Sequence, residues 1–159
     1  MKKLTCLLVM LLLGSGLTKA FVWDDVNGYP SFTFWNISGQ YERDLVNLER
    51  NQNYKMYIYF TTKYDITTLR FDLKMLIGGT PVPFISNVDC ATGCGVTLPK
   101  RVGDYIEFKF DFALPHAFEE FPDSLRFVLE ATFTNQDGRC VAAGRVPARI
   151  KEKTDNFYL

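Results

Sequence analysis

The sequence holds a single histidine, His116, and that scarcity excludes much of enzymology. A Ser-His-Asp or Cys-His arrangement would have to be assembled around this one imidazole. No Gly-x-Ser-x-Gly elbow occurs, and Gly78-Gly79 is not followed by the Lys-Ser or Lys-Thr that a phosphate-cradling loop requires. The adjacent acids Glu119 and Glu120 stand beside bulky Phe118 and Phe121. Neighbours in sequence point different ways, which argues against acid–base work by the pair. One histidine and no second cysteine pair at finger spacing argue against zinc, and no metal or organic cofactor is expected. The chain reads as a binder, not an enzyme.

Long apolar runs are also missing beyond the first twenty residues, so no later segment is expected to span a membrane. Within those twenty, Lys2 and Lys3 precede an apolar run over residues 4–13, and Thr18 and Ala20 supply small residues before a cleavage point. This is the layout of a secretory signal over residues 1–20. Its removal leaves 139 residues, enough for one domain with a core, with 15 basic against 18 acidic side chains. There is no basic excess to attract nucleic acid. The expected destination is secreted, either extracellular or lysosomal.

Cysteine is scarce once Cys6 leaves with the signal. Cys90 and Cys94 flank Ala-Thr-Gly and are expected to pair in an oxidising compartment, where so small a ring contributes about 2 kcal/mol. Cys140 is left over, either as a buried thiol or as a bridge to another chain.

Alternation is what the chain has in abundance. Leu69, Phe71, Leu73, Met75 and Ile77 alternate with Arg70, Asp72 and Lys74. Ile106, Phe108, Phe110, Phe112 and Leu114 alternate with Glu107, Lys109 and Asp111, and the stretch over residues 125–133 behaves likewise. A period of two gives each strand one buried and one wet face, as in antiparallel sheets. Less regular strands are predicted over 31–37, 45–48, 54–62 and 139–151, where Pro147 predicts an edge or a bulge. Asn135-Gln-Asp-Gly138 predicts a hairpin, and residues 78–84 form a breaker-rich segment. No helical period is visible. The expected architecture is all-β, a sandwich of two antiparallel sheets over residues 21–151, with residues 152–159 a frayed tail.

All 14 phenylalanines fall after residue 20, most of them at inward positions or in the breaker loops. They make either a dense aromatic core or the lining of an apolar cavity, and periodicity does not separate the two. The sequon Asn36-Ile37-Ser38 can carry an N-glycan, provided that Asn36 faces solvent.

Gly79-Thr80-Pro81-Val82-Pro83-Phe84 resembles the Gly-x-Pro-Val-Pro-Phe segment of the ML lipid-recognition family. As in that family, Asp89-Cys90 and Cys94 follow, then a strand ending in Leu114-Pro115, a loop ending in Phe121-Pro122, a strand over 125–133, and Cys140 before Val146-Pro147. The likeness covers roughly residues 54–151. It implies an immunoglobulin-like sandwich with a lipid cavity between its sheets. It also implies an entrance lined by Val82 and Phe84 on one lip and by His116, Phe121 and Pro122 on the other. Two departures stand out: the partner that the family supplies for Cys140 is absent, and the Cys90–Cys94 spacing is short.

The expected function is carriage or transfer of a sterol, fatty acid or phospholipid. Phe71, Leu73, Phe108, Phe110, Phe127 and Leu129 are candidate lining residues. The alternative is a secreted recognition module or co-receptor that presents a lipid to, or binds, a receptor or membrane partner.

Overall fold

A computed structural model describes residues 24–26, 28–42, 45–114 and 116–151. The segments 1–20 and 152–159, expected to be signal and tail, lie outside the described residues, as does Pro115.

Among the described residues, ten strands form two sheets. They are β1 (Asp24–Asp25), β2 (Phe34–Ile37), β3 (Gln40–Glu42), β4 (Leu45–Leu48), β5 (Asn53–Thr61), β6 (Leu69–Ile77), β7 (Thr80–Asp89), β8 (Tyr105–Ala113), β9 (Arg126–Asn135) and β10 (Cys140–Ile150). The larger sheet runs β3-β4-β10-β9-β6-β7, with β1 also on β10, and the smaller runs β2-β5-β8. This is the two-sheet sandwich that the alternation predicts. Two short helical turns interrupt it, α1 (Cys90–Gly93) and a 3-10 helix (His116–Glu120). Neither is long enough to show a helical period in sequence.

Inward residues from both sheets meet in a core of rings. Trp35, Phe60, Phe71, Phe108 and Phe133 are each no more than 1% exposed. Phe133 lies 4.9 Å from Phe60, 5.2 Å from Phe71 and 4.9 Å from Phe108, centroid to centroid. Rings at these separations and tilts add to the burial of apolar area that drives the two sheets together.

Three departures from expectation have local causes. Residues 80–84 are not an irregular breaker segment but the start of β7. The chain turns at Gly78 and Gly79, both at positive φ, and β7 is an edge strand, where Pro81 and Pro83 need not donate to a ladder on both sides. Pro147 is not on an edge, since β10 lies between β9 and other strands. On the side away from β9, β1 pairs at Gly144 and Arg145, and β4 at Ala148 to Ile150. Pro147 falls in the gap between them, where no ladder asks for its missing N–H. Finally, the β4–β10 pairing is parallel, whereas every other strand pairing described is antiparallel.

The predicted hairpin at Asn135-Gln-Asp-Gly138 is present. The Gly138 N–H donates to the Asn135 carbonyl (3.0 Å) with Gly138 at φ 71. Asn135 Oδ1 accepts from the Asp137 and Arg139 amides.

Candidate functional site

The two sheets end at β7 and β8, each the last strand of its own sheet. Their side chains meet along a seam between the sheets, where Phe84 of β7 packs on Phe112 of β8. At one end the chain crosses directly: the Lys109 N–H of β8 donates to the carbonyl of Cys94, just past α1 (3.2 Å). At the other end Phe84 of β7 packs on Phe112 of β8 (5.7 Å) and on Phe118 of the 3-10 helix (5.4 Å), and Phe118 packs on Phe121 (5.2 Å). These three contacts form an aromatic lip.

Between the two ends the side chains are apolar but not fully covered. Val82, Phe84, Ile85 and Val88 of β7 and Phe110 of β8 are all half-buried. No residue of β7 is fully buried, whereas β5, β6, β8 and β9 each carry a row of buried side chains. Phe110 makes the point most sharply. It has the same inward parity as Ile106, Phe108 and Phe112, yet it alone of the four is only half-buried. Apolar side chains on an inward face that remain partly wet mark a surface lacking its cover.

The lip is held from outside by Arg50, in the turn between β4 and β5. Its Nε donates to the Phe118 carbonyl (3.1 Å), its Nη2 donates to the Phe121 carbonyl (2.6 Å), and its Nη1 pairs with Asp123. The side chain is 13% exposed, so all three sides of the guanidinium fork are engaged at a largely desolvated position. Sequence reasoning did not single out Arg50, because its partners are some seventy residues away and two of them are backbone carbonyls.

No protein-family model matches the chain, and no curated protein sequence does. Solved structures do. A Niemann-Pick type C2 protein from the Japanese carpenter ant superposes with a TM-score of 0.69 at 21% identity, covering 82% of this chain and all of the other. Chicken MD-1, in a complex with lipid IVa, superposes with a TM-score of 0.52 at 17% identity, covering 80% of this chain and 87% of the other. The chain has the fold of the ML lipid-recognition family.

Within this ML sandwich the candidate residues separate into two groups. Val82, Phe84, Phe110 and Phe121 gather at the seam and its lip, and Pro122 is exposed beside them. His116 opens the 3-10 helix, but its side chain lies outside what the structure describes. Phe71, Leu73, Phe108 and Leu129 show no exposure and Phe127 only 4%. Phe71 is filled around by Phe108 (4.5 Å), Phe110 (5.6 Å) and Phe133 (5.2 Å). In this structure those five side chains are buried in the core cluster.

Two clefts elsewhere, of about 240 and 280 Å³, are lined largely by polar groups such as Lys100 and Glu107 in one and Asn47 and Glu49 in the other. They do not suit an apolar guest.

At the crossing end, Cys90 and Cys94 are buried thiols. A hydrogen bond to the Cys94 sulfur, together with burial, pushes the Cys90 thiol well above its usual range. The same bond draws Cys94 down. Cys140 is half-buried, and burial raises its thiol, whose Sγ donates to the Ala142 carbonyl (3.4 Å).

Proposed function

We propose that the protein binds a lipid, lodging its apolar part in the seam between β7 and β8 behind the Phe84–Phe118–Phe121 lip. One observation carries this reading: the inward face of β7 is apolar along its length, yet no residue on it is fully buried. A hydrocarbon guest supplies the cover that the protein itself does not. Covering on the order of 300 Å² of apolar surface contributes roughly 7 kcal/mol before ordering costs are subtracted, which suits reversible carriage. The complex of chicken MD-1 with lipid IVa supports the reading, since it shows a lipid bound by a protein of the same fold.

On this reading entry of the guest requires the Phe118–Phe121 segment to swing away from Phe84. Sterols, fatty acids and phospholipids are the classes to try. The protein acts as a secreted carrier, with Cys90 and Cys94 joined in a disulfide at the far end of the seam. Presentation of the lipid to a protein partner is the competing role.

The test is binding of a fluorescent sterol, fatty acid and phospholipid to delipidated protein. At least one class binds, and Phe84→Asp weakens it by about tenfold or more, because a carboxylate in the seam must be desolvated. If none of the three binds, the proposal fails. Native mass spectrometry of secreted protein separates the roles: a carrier retains lipid when alone, whereas a presenting module co-purifies with a partner.

A further inference from the structure

The outer face of the small sheet carries an aromatic ladder that the lipid reading does not use. On β2, Trp35 and Ile37 point into the core, so Phe34 and Asn36 point out. Register places Phe34 opposite Tyr59 and Asn36 opposite Tyr57, and β8 continues the two rows with Glu107 and Lys109. The Phe34 ring stacks on Tyr59 with centroids 4.9 Å apart and planes 23° apart, and Tyr59 lies 5.9 Å from Tyr105. Phe34 is 39% and Tyr105 46% exposed, two of the four large hydrophobic residues that stand out in solvent among the described residues. A row of rings crossing all three strands of a sheet is costly to leave in water.

Asn36 sits on the edge strand of this face and heads the only Asn-x-Ser/Thr sequon in the chain. It shares its strand face with Phe34 two residues before it, and Tyr57 is its cross-strand partner. Side chains in these two relations lie within reach of whatever is attached to the asparagine. The sequon's serine is at the strand end, where Ser38 Oγ accepts from the Lys55 amide (2.7 Å).

We propose that Asn36 carries an N-linked glycan whose first sugars lie back on Phe34, Tyr57 and Tyr59, so that this face is covered by the protein's own carbohydrate. The transfer forms a bond from Asn36 Nδ2 to the anomeric carbon of an oligosaccharide, breaks that carbon's bond to the pyrophosphate of a lipid-linked donor, and releases one amide proton. The slightly positive C–H faces of the sugar rings meet the negative faces of the aromatic rings, and each side sheds water. A free partner protein or a second copy is a less suitable occupant, because a glycan rooted at Asn36 stands where either would dock. The same glycan shields β2, which is an edge strand. This inference rests on passage through the secretory route and is independent of lipid binding.

The full chain secreted from eukaryotic cells is to be weighed intact before and after peptide-N-glycosidase treatment under native conditions. One glycan is lost on treatment, and none is present in Asn36→Gln. In the untreated protein the N-acetyl methyl protons of the first sugar are shifted upfield by the rings, and Phe34→Ser returns them toward the free-glycan position. Deglycosylation lowers Tm by about 2–4 °C, the shift that one well-made contact gives in a chain of this length, and Phe34→Ser abolishes the difference. Secreted protein without a glycan overturns the proposal. So does a glycan whose N-acetyl methyl resonates where it does in the free sugar.

Discussion

Gly144 shows how much one absent carbon can decide. A Cβ built there would stand 2.6 Å from two atoms of the Phe32 ring and 3.5 Å from Trp35. Phe32 has little room to retreat, since it meets Trp35 edge-on at 5.5 Å and Phe133 at 5.8 Å. Gly144→Ala is therefore expected to destabilise the fold by about 1–3 kcal/mol, the usual cost of overpacking. The measurement is the urea midpoint, with the slope of the transition unchanged. The sequence did not reveal this constraint, because nothing local links Gly144 to a ring over a hundred positions earlier. Parity, by contrast, was legible: Phe71, Leu73, Phe108 and Leu129 are all inward as their alternation requires. What parity cannot tell is what stands opposite. For that reason Phe108 is fully covered and Phe110, two residues on, is not.

The loop from the 3-10 helix to β9 is set by Arg50 more than by its own sequence. The Phe118 carbonyl accepts from both Arg50 Nε and the Phe121 amide, and the Leu125 amide is bonded to the Pro122 carbonyl. Hydrogen bonds from a charged donor contribute about 1.5–3 kcal/mol each, so the fork is a large share of what keeps so short an element in place. Arg50→Lys keeps the charge and loses the fork. Amide exchange at Phe121 and Leu125 is expected to quicken by about tenfold or more, and bound lipid to leave faster, with exchange in β6 and β9 unchanged. Unaltered protection at Phe121 would show that the loop holds itself. The strands were readable from a period of two. This element was not, because its geometry comes from backbone carbonyls meeting a distant guanidinium.

As a whole, the molecule is a sandwich closed by solid aromatic packing along most of its length and left incompletely covered along one seam. A guest held there and absent from the unfolded chain raises stability by mass action, about 2.7 kcal/mol when free lipid exceeds its Kd by a hundredfold. The expected outcome is a Tm that climbs with lipid concentration, read by calorimetry, and that climbs about half as far or less in Phe84→Asp, since a tenfold weaker Kd leaves about 1.4 kcal/mol at the same free lipid. At this scale the layered architecture was legible, because seven or more short amphipathic strands in one chain leave few alternatives. Strand neighbours were not. Pro147 suggested an edge or a bulge, and only the end-to-end placement of β1 and β4 shows why a central strand tolerates it.

The position of β10 has a further outcome for biosynthesis. It is the last strand in chain order, yet it joins β9, β1 and β4, so strands made early wait for it. During translation the larger sheet stays open, with its phenylalanines wet, until β10 has left the ribosome. Closure then depends on contacts between distant parts of the chain, which form slowly. A stop codon that removed β10 is expected to leave β1 and β4 without the strand on which both pair.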